Sequence, residues 1–98
     1  MANYVSLLQF TDQGIRAVKD SPKRAETARA LGEKTGVKVA DVFWTVGAYD
    51  LVLVLEAAND EAVTAFTLSL AALGNVKTQT MRAFRSDEFK AIVGKIRQ

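Results

Sequence analysis

The chain has 98 residues, of which 49% are hydrophobic and 24% charged, values typical of one globular domain, so we expect residues 1–98 to form a single domain. It contains no cysteine and no histidine, which excludes disulfides, thiolate nucleophiles and imidazole catalysis. The net charge is +2, and the 13 basic residues are dispersed among 11 acidic ones rather than clustered, so we expect no nucleic-acid binding.

The first part of the chain predicts a strand and a helix. Asn3–Phe10 is rich in aromatic and aliphatic residues and is expected to be a strand. Thr11–Gly14 is turn or cap sequence, and a short helical segment follows it. Ser21 is suited to the N-cap and Pro22 to the first position of a longer helix, which Gly36 is expected to end.

Two strands joined by a hairpin are predicted next. Val37–Val46 is the first, and Gly47–Ala48 connects it to a run of five aliphatic residues, Leu51–Leu55. Successive side chains of a strand point to opposite faces, so the leucines of this run lie on one face and its valines on the other. Both faces of this strand are apolar and both need cover, which indicates a central strand.

A second helix and a fourth strand follow. Asn59 or Asp60 is expected to cap the helix, and Gly74 to end it. The helix has an apolar stripe at helical spacing, formed by Ala62, Phe66, Leu70 and Leu73. Val76–Phe84 is predicted to be a strand with polar and apolar side chains mixed on both faces, which indicates an edge strand or a polar lining.

A last helix, capped by Ser86, has an apolar stripe formed by Phe89, Ile92, Val93 and Ile96. The predicted fold class is therefore α+β, a ferredoxin-like β-α-β-β-α-β arrangement with an extra C-terminal helix. The two internal helices cover one sheet face in this fold. The other face is expected to be covered by the terminal helix or by the sheet of a second copy, and its apolar character favours the second copy.

Several segments together resemble the GYD-domain family of small bacterial and archaeal proteins. The most specific is Gly-Ala-Tyr-Asp at 47–50, directly before the aliphatic strand, and the others are Asn59–Glu61, Phe66 and Gly74–Thr80. The resemblance covers nearly the whole chain, and Ala48 lies between the glycine and the Tyr-Asp pair. It implies a dimeric α+β barrel, in which two ferredoxin-like sheets pack face to face, and hence a homodimer or a higher homo-oligomer.

The same pattern is similar to the effector-binding domain of the Lrp/AsnC regulators, in which a Gly-x-Tyr-Asp turn also precedes the third strand. No DNA-binding helix-turn-helix precedes the pattern in this sequence, so we do not expect a complete transcription regulator. Relatives of this architecture also include cofactor-independent monooxygenases and isomerases, and the fold alone does not choose between these functions.

Four residues are candidate ligand-binding residues: Trp44, Tyr49, Asp50 and Arg82. Tyr49 and Asp50 lie at the hairpin and either orient a ligand, with Asp50 receiving an amine, or have structural roles. In the structural alternative, Asp50 accepts backbone N–H bonds in the turn and Tyr49 packs at the rim of the sheet with its hydroxyl anchored. Trp44 either stacks on a flat ligand in a barrel cavity or packs in the core or an interface. Arg82 either binds a carboxylate or phosphate or forms an ordinary ion pair with an interface carboxylate.

Catalysis and cofactor binding have little support in the sequence. It contains no calcium loop or glycine-rich phosphate loop, and without histidine or cysteine we expect no transition metal, no cofactor and no catalytic residue. Carboxylates and tyrosine need strong tuning to act near neutral pH. The sequence therefore favours a non-catalytic small-molecule-binding or regulatory module. The alternative is a cofactor-independent enzyme, monooxygenase-like or isomerase-like, that uses the barrel cavity.

The sequence predicts a cytoplasmic protein without membrane contact. Met1–Tyr4 lacks the charged region and the cleavage site of a signal peptide. The aliphatic run Leu51–Leu55 is far shorter than the roughly 20 apolar residues that a membrane helix needs.

Overall fold

The computed structural model describes residues 1–97, so the last position of the predicted domain lies outside the described residues. The strands are β1 (Ala2–Phe10), β2 (Val37–Trp44), β3 (Leu51–Ala57) and β4 (Val76–Ala83). The helices are α1 (Asp12–Arg16), α2 (Ser21–Thr35), α3 (Asp60–Ala72) and α4 (Ser86–Val93), with a 3₁₀ turn at Val18–Asp20. The antiparallel sheet has the order β2-β3-β1-β4, which confirms the predicted ferredoxin-like fold with an additional C-terminal helix.

One side of the sheet is covered by α2 and α3, and we define it as the covered face. Leu51, Leu53 and Leu55 of β3 are at most 5% exposed there. They belong to one hydrophobic core with buried side chains of the two helices, Ala28, Val63, Phe66 and Leu70. The prediction that β3 is a central strand with its leucines on one buried face is confirmed.

The other side of the sheet faces away from α2 and α3, and we define it as the open face. The register pairs Val5 of β1 with both Val54 and Met81, so three strands present these side chains on one side. The apolar side chains of the open face are Val5, Leu7, Phe43, Val52, Val54 and Met81.

Strand β2 keeps Val42 and Trp44 on the covered face by means of a β-bulge. The register shifts between Val39 and Asp41, which leaves Ala40 as an extra residue in the ladder. Side chains alternate along a strand, so the bulge places Val42 and Trp44 on the same side as the buried Val39. Without it, one half of β2 would present its apolar residues to the open face.

The hairpin between β2 and β3, residues 45–50, begins earlier than predicted. Its first residue, Thr45, donates its N–H to the carbonyl of Asp50 over 2.8 Å. Val46 lies within the turn and is fully exposed, and Gly47 has a φ of 140° that glycine adopts readily. The prediction that the strand continues to Val46 is therefore wrong, because the turn needs these residues.

Helix α3 packs through a stripe that differs in part from the predicted one. Phe66 and Leu70 are buried as predicted, and Val63 and Thr67 are buried as well. Leu73, however, is 59% exposed. It follows the last residue of α3, where the chain turns toward β4, so it no longer shares the face of the helix that packs on the sheet.

Two predicted helix starts are displaced by one residue. Ser21 and Ser86 are the first residues of α2 and α4, and Asp20 and Arg85 occupy the N-cap positions before them. Ser21 is buried, and its hydroxyl accepts a hydrogen bond of 2.9 Å from Trp44 Nε1 instead of capping its helix. A long-range partner thus replaces the local one that the sequence suggested.

Two glycines fix the end of α2 against the beginning of β2. A Cβ on Gly32 would lie 2.4 Å from the carbonyl oxygen of Val37, so only glycine permits this close approach of helix and strand. Gly36 ends α2 in the left-handed conformation with a φ of 78°, as predicted.

Candidate functional site

Asp50 ties the hairpin to the end of β1. Its carboxylate accepts a hydrogen bond of 2.8 Å from the N–H of Phe10, and its own N–H donates to the carbonyl of Leu8 over 2.8 Å. The carboxylate therefore satisfies a backbone donor at the point where β1 ends, as turn aspartates commonly do.

Tyr49 reaches across β1 to the edge strand β4. Its hydroxyl donates a hydrogen bond of 2.8 Å to Gln79 Oε1, and its carbonyl accepts one of 2.6 Å from the hydroxyl of Thr45. Gln9 of β1 donates its side-chain amide to the carbonyl of Ala48 over 2.8 Å. Gln9 lies two residues from Leu7, and Gln79 lies two residues from Met81, so both glutamines point to the open side of the sheet. These bonds therefore hold the hairpin on that side.

Trp44 lies at the same end of the sheet, but on its covered side. It pairs with Leu51, and its indole N–H donates to the hydroxyl of Ser21. The side chain thereby joins the end of β2 to the beginning of α2. It nevertheless remains 47% exposed, so part of its ring is accessible at the surface.

Arg82 lies at the opposite end of the sheet. It pairs with Tyr4 of β1, whereas the hairpin is bonded to Leu8, four residues or roughly 13 Å further along that strand. The guanidinium carbon stands 4.5 Å from the centre of the Phe84 ring and 5.6 Å from that of Tyr4, distances at which cations and aromatic rings attract each other. Its Nη2 is 3.6 Å from the carboxylate of Glu88.

The four predicted ligand-binding residues thus form two groups rather than one site. Tyr49 and Asp50 belong to the hairpin, with Trp44 beside them on the other side of the sheet, and Arg82 is distant from all three. The contacts correspond to the structural alternatives, since Asp50 stabilises the turn and Arg82 lies within ion-pair distance of Glu88. Their ligand-binding role stays a prediction.

An open depression of about 440 Å³, lined by polar and apolar residues, adjoins Arg82 at the N-terminal end of α3. The hydroxyl of Tyr4, which also lines it, donates to Asp60 Oδ1 over 2.5 Å. This hydrogen bond raises the pKa of Tyr4, and burial and the negative charge of Asp60 act in the same direction. Tyr4 therefore remains a protonated donor at neutral pH.

Glu88 attaches the beginning of α4 to this end of the sheet. Its Oε1 accepts a hydrogen bond of 3.0 Å from the N–H of Arg85 and one of 3.2 Å from the side-chain amide of Asn3. The bond from Arg85 lowers the pKa of Glu88 most, and Asn3 and Arg82 lower it further, against the opposing effect of burial. Sequence reasoning missed this contact because nothing local indicates that Asn3 and Glu88, at opposite ends of the chain, lie side by side.

A small apolar crevice lies between α2, α3 and the covered face. Its volume is about 60 Å³, and Ala28, Leu53 and Leu70 are among its lining residues. Apolar cavities that hold benzene measure about 150 Å³, and ligand pockets generally exceed about 300 Å³. The crevice is therefore a packing gap left by small side chains rather than a ligand site.

The open face is an apolar surface that the two internal helices leave uncovered. Phe43 is 54% and Met81 42% exposed, although both are apolar. The valines of β3 predicted a bare face, but these two residues were not among those expected to form it. The alternation along β2 and β4 would have identified them only once the bulge at Ala40 and the strand register were known.

The described part of the chain lacks the features of metal sites and of membrane-spanning helices. Among residues 1–97, no group of three or more acidic side chains is placed to hold a metal ion. No helix in this described range is long and apolar enough to cross a membrane. The expectation that the protein uses no metal or cofactor rests on the sequence.

The sheet order, the Gly-Ala-Tyr-Asp hairpin and the uncovered sheet face define a ferredoxin-like α+β protein of the GYD type. The GYD domain family matches residues 4–93, and the chain belongs to this family, as the resemblance indicated. Over 84 residues the chain is also 34% identical to a protein of Thermus thermophilus named glutamine synthetase and cystathionine beta-lyase binding protein. That alignment covers 85% of this chain and 88% of the relative.

Proposed function

We propose that this chain is a non-catalytic binding protein that works in the cytoplasm as a homodimer or as a higher homo-oligomer built from that dimer. In the dimer, the open faces of two copies pack together and complete an α+β barrel. The assembled protein then binds another molecule and thereby regulates it.

The observation that supports this proposal most strongly is the uncovered apolar sheet face. Phe43 and Met81 lie on the two edge strands and are 54% and 42% exposed, and the apolar residues between them are only partly buried. Apolar patches of this kind usually mark interaction sites. A two-fold related copy would bury the same residues on both sides, which is the simplest arrangement for a homodimer.

The geometry favours binding over catalysis. The Asp50 carboxylate is occupied by the N–H of Phe10, and the Tyr49 hydroxyl by Gln79. The pKa of Tyr4 is raised and that of Glu88 is lowered, so both groups move away from neutral pH. General acid-base catalysis requires pKa values near the working pH, whereas both of these shifts carry the pKa further from neutral pH.

The relative directs the choice of a partner. It is named for binding glutamine synthetase and cystathionine beta-lyase, and membership of the same family supports a protein-binding role for this chain. We propose an enzyme of one of these two kinds as its partner. The further proposal is a small ligand bound at one of the two groups, either at Trp44, Tyr49 and Asp50 or at Arg82.

The dimer is tested by measuring the mass in solution of the wild-type chain, Phe43→Asp and Leu68→Asp. Leu68 is a matched control because it is an apolar residue, 63% exposed, on α3 rather than on the open face. We expect an even multiple of the chain mass for the wild type and for Leu68→Asp, and a monomer for Phe43→Asp, since a buried carboxylate at an apolar interface lacks a partner. A monomeric wild type, or an unchanged mass for Phe43→Asp, contradicts the proposal.

The binding role is tested by titration calorimetry of the wild-type chain with glutamine synthetase and with cystathionine beta-lyase from the same organism. We expect saturable binding of at least one enzyme and a change in its activity. Binding of neither enzyme contradicts the proposed partner. Conversion of a small molecule by the chain alone would contradict the non-catalytic role.

A further inference from the structure

Helix α4 has an apolar side that its own chain leaves exposed. Phe89 and Val93 lie one turn apart and are 55% and 49% exposed, and Ile96, just beyond the helix, is 58% exposed. Phe84, which precedes the helix, is 47% exposed. We define these four residues as the arm stripe. The sequence predicted the amphipathic helix, and the structure shows that its apolar side does not cover the sheet of the same chain.

The molecule is elongated, and α4 lies outside its hydrophobic core. The radius of gyration is 14.8 Å, whereas a compact domain of about 100 residues has about 13 Å. The longest dimension is 51 Å, against 31 and 18 Å for the other two. A helix that only completed the core of its own chain would give a more compact shape.

The beginning of α4 is fixed beside the open face. Glu88 accepts a hydrogen bond from the side chain of Asn3. Asn3 lies two residues before Val5 along β1, so its side chain points to the same, open side of the sheet. Glu88 also accepts from the N–H of Arg85 and lies 3.6 Å from Arg82. These contacts hold the start of α4 at the Asn3 end of the open face, next to the proposed dimer surface.

We propose that α4 is an arm that packs its stripe against a second copy of this chain, at the border of the interface between the two open faces. This inference rests on the proposed dimer and adds a second contact region to it. Each copy contributes one arm, so the contact occurs twice under two-fold symmetry.

The area that a stable dimer needs supports the second copy as the occupant. Four strands spaced about 4.8 Å apart and about 8 residues long give a sheet face of roughly 500 Å². This is the flat footprint of the open face. Stable interfaces bury about 800 Å² of accessible surface on each partner, so further apolar surface at its border brings two open faces closer to what a stable dimer needs. An aromatic side chain can bury about 150–250 Å², so the half-exposed Phe84 and Phe89, with two aliphatic neighbours, can add roughly 300 Å² of accessible surface to that interface.

The experiment measures the dimer dissociation constant by sedimentation for the wild type, Phe89→Lys and Ala91→Lys. Both substitutions add one positive charge to α4, but Ala91 lies on the side opposite to Phe89 and is exposed. We expect Phe89→Lys to weaken the dimer by about tenfold or more, because it puts a charge into the apolar contact of the arm. We expect Ala91→Lys to leave the dimer unchanged within about twofold, because Ala91 lies outside that contact. Because both positions are exposed, neither variant is expected to disturb the fold of the single chain.

The outcomes separate this inference from the proposed dimer. A monomeric wild type overturns both. A dimer that Phe43→Asp dissociates but Phe89→Lys leaves intact overturns the arm alone. Direct evidence comes from dimers of one isotope-labelled and one unlabelled copy, in which we expect nuclear Overhauser effects between the methyl groups of Val93 and the other copy. A dimer in which Val93 shows such effects only within its own chain also overturns the arm.

Discussion

The two faces of the sheet consist of the same strands but differ in what covers them. On the covered face, Leu55 of β3 and Phe66 of α3 are both 0% exposed. On the open face, Phe43 is 54% exposed although it is an aromatic residue in the same hydrogen-bonded ladder. Alternation along the strands made both faces apolar, and α2 and α3 bury only one of them.

This difference separates folding from association. The chain folds because two helices and one sheet face make a closed core. The apolar residues of the open face add little to the stability of a single copy, because they remain in contact with water. Their burial becomes favourable when a second apolar surface arrives, so we infer that the open face contributes to assembly and the covered face to the fold.

The largest expected effect compares one residue type on the two faces. Phe66→Ala should lower the free energy of unfolding by about 3–5 kcal/mol, since it opens a cavity in the core. Phe43→Ala should lower it by less than about 1 kcal/mol in dilute monomer, because that side chain is half in water already. Urea denaturation below the dimer dissociation constant measures both. Equal losses would contradict the division of roles between the faces.

A second variant keeps this test interpretable if Phe66→Ala does not fold. Phe66→Leu retains most of the buried volume and should cost less than the alanine substitution. The loss of unfolding free energy should therefore be largest for Phe66→Ala, smaller for Phe66→Leu and smallest for Phe43→Ala. A larger loss for Phe43→Ala than for Phe66→Leu would contradict the division of roles between the faces.

The fold could be predicted because its signals are local. The run Leu51–Leu55 indicates a central strand with two apolar faces, and Gly36 indicates the end of a helix, whatever the rest of the chain does. The covered face was less predictable, because the bulge at Ala40 changes the alternation of β2 and no turn residue announces it. The exposure of Leu73 likewise depends on how the chain leaves α3 toward β4.

The candidate site was predictable only where it is local. The turn role of Asp50 was one of two interpretations that a Gly-Ala-Tyr-Asp sequence offers, and the structure supplies the partner, the N–H of Phe10. The distance between Arg82 and the hairpin could not be predicted, because it follows from the register of β4 on β1. The contacts of Trp44 with Ser21 and of Tyr4 with Asp60 join residues distant in sequence, and no pattern within either segment indicates its partner.

The hairpin between β2 and β3 gives the next largest expected effect. Asp50→Ala should lower the free energy of unfolding by about 1–3 kcal/mol, because it leaves the N–H of Phe10 without its acceptor. Asp50→Asn keeps an oxygen at that position and should lose less. Tyr49→Phe, which removes only the bond to Gln79, should cost about 0.5–1.5 kcal/mol. If thermal denaturation shows no loss for Asp50→Ala, the turn role is wrong and the ligand-binding role of Asp50 gains support.

The smallest effect concerns pH and the attachment of α4 beside the open face. The N–H of Arg85, the amide of Asn3 and the charge of Arg82 lower the pKa of Glu88 in the folded chain. A lowered carboxyl pKa means that the ionised group stabilises the folded arrangement. This contribution is complete above the unfolded value of about 4.3 and is lost as the pH falls through the lower folded value. Acid should therefore release the beginning of α4.

Amide chemical shifts and hydrogen exchange across the acid range measure this release. The amide of Arg85 should titrate with Glu88 and lose protection from hydrogen exchange. The backbone amides of β3 should stay protected at the same pH, because their hydrogen bonds do not involve Glu88. Glu88→Gln should abolish the titration, and the matched Asp87→Asn, one residue away on the same helix turn, should retain it. Simultaneous loss of protection in α4 and β3 would mean that the helix is part of the core unit, and the distinction between the arm and the covered face would fail.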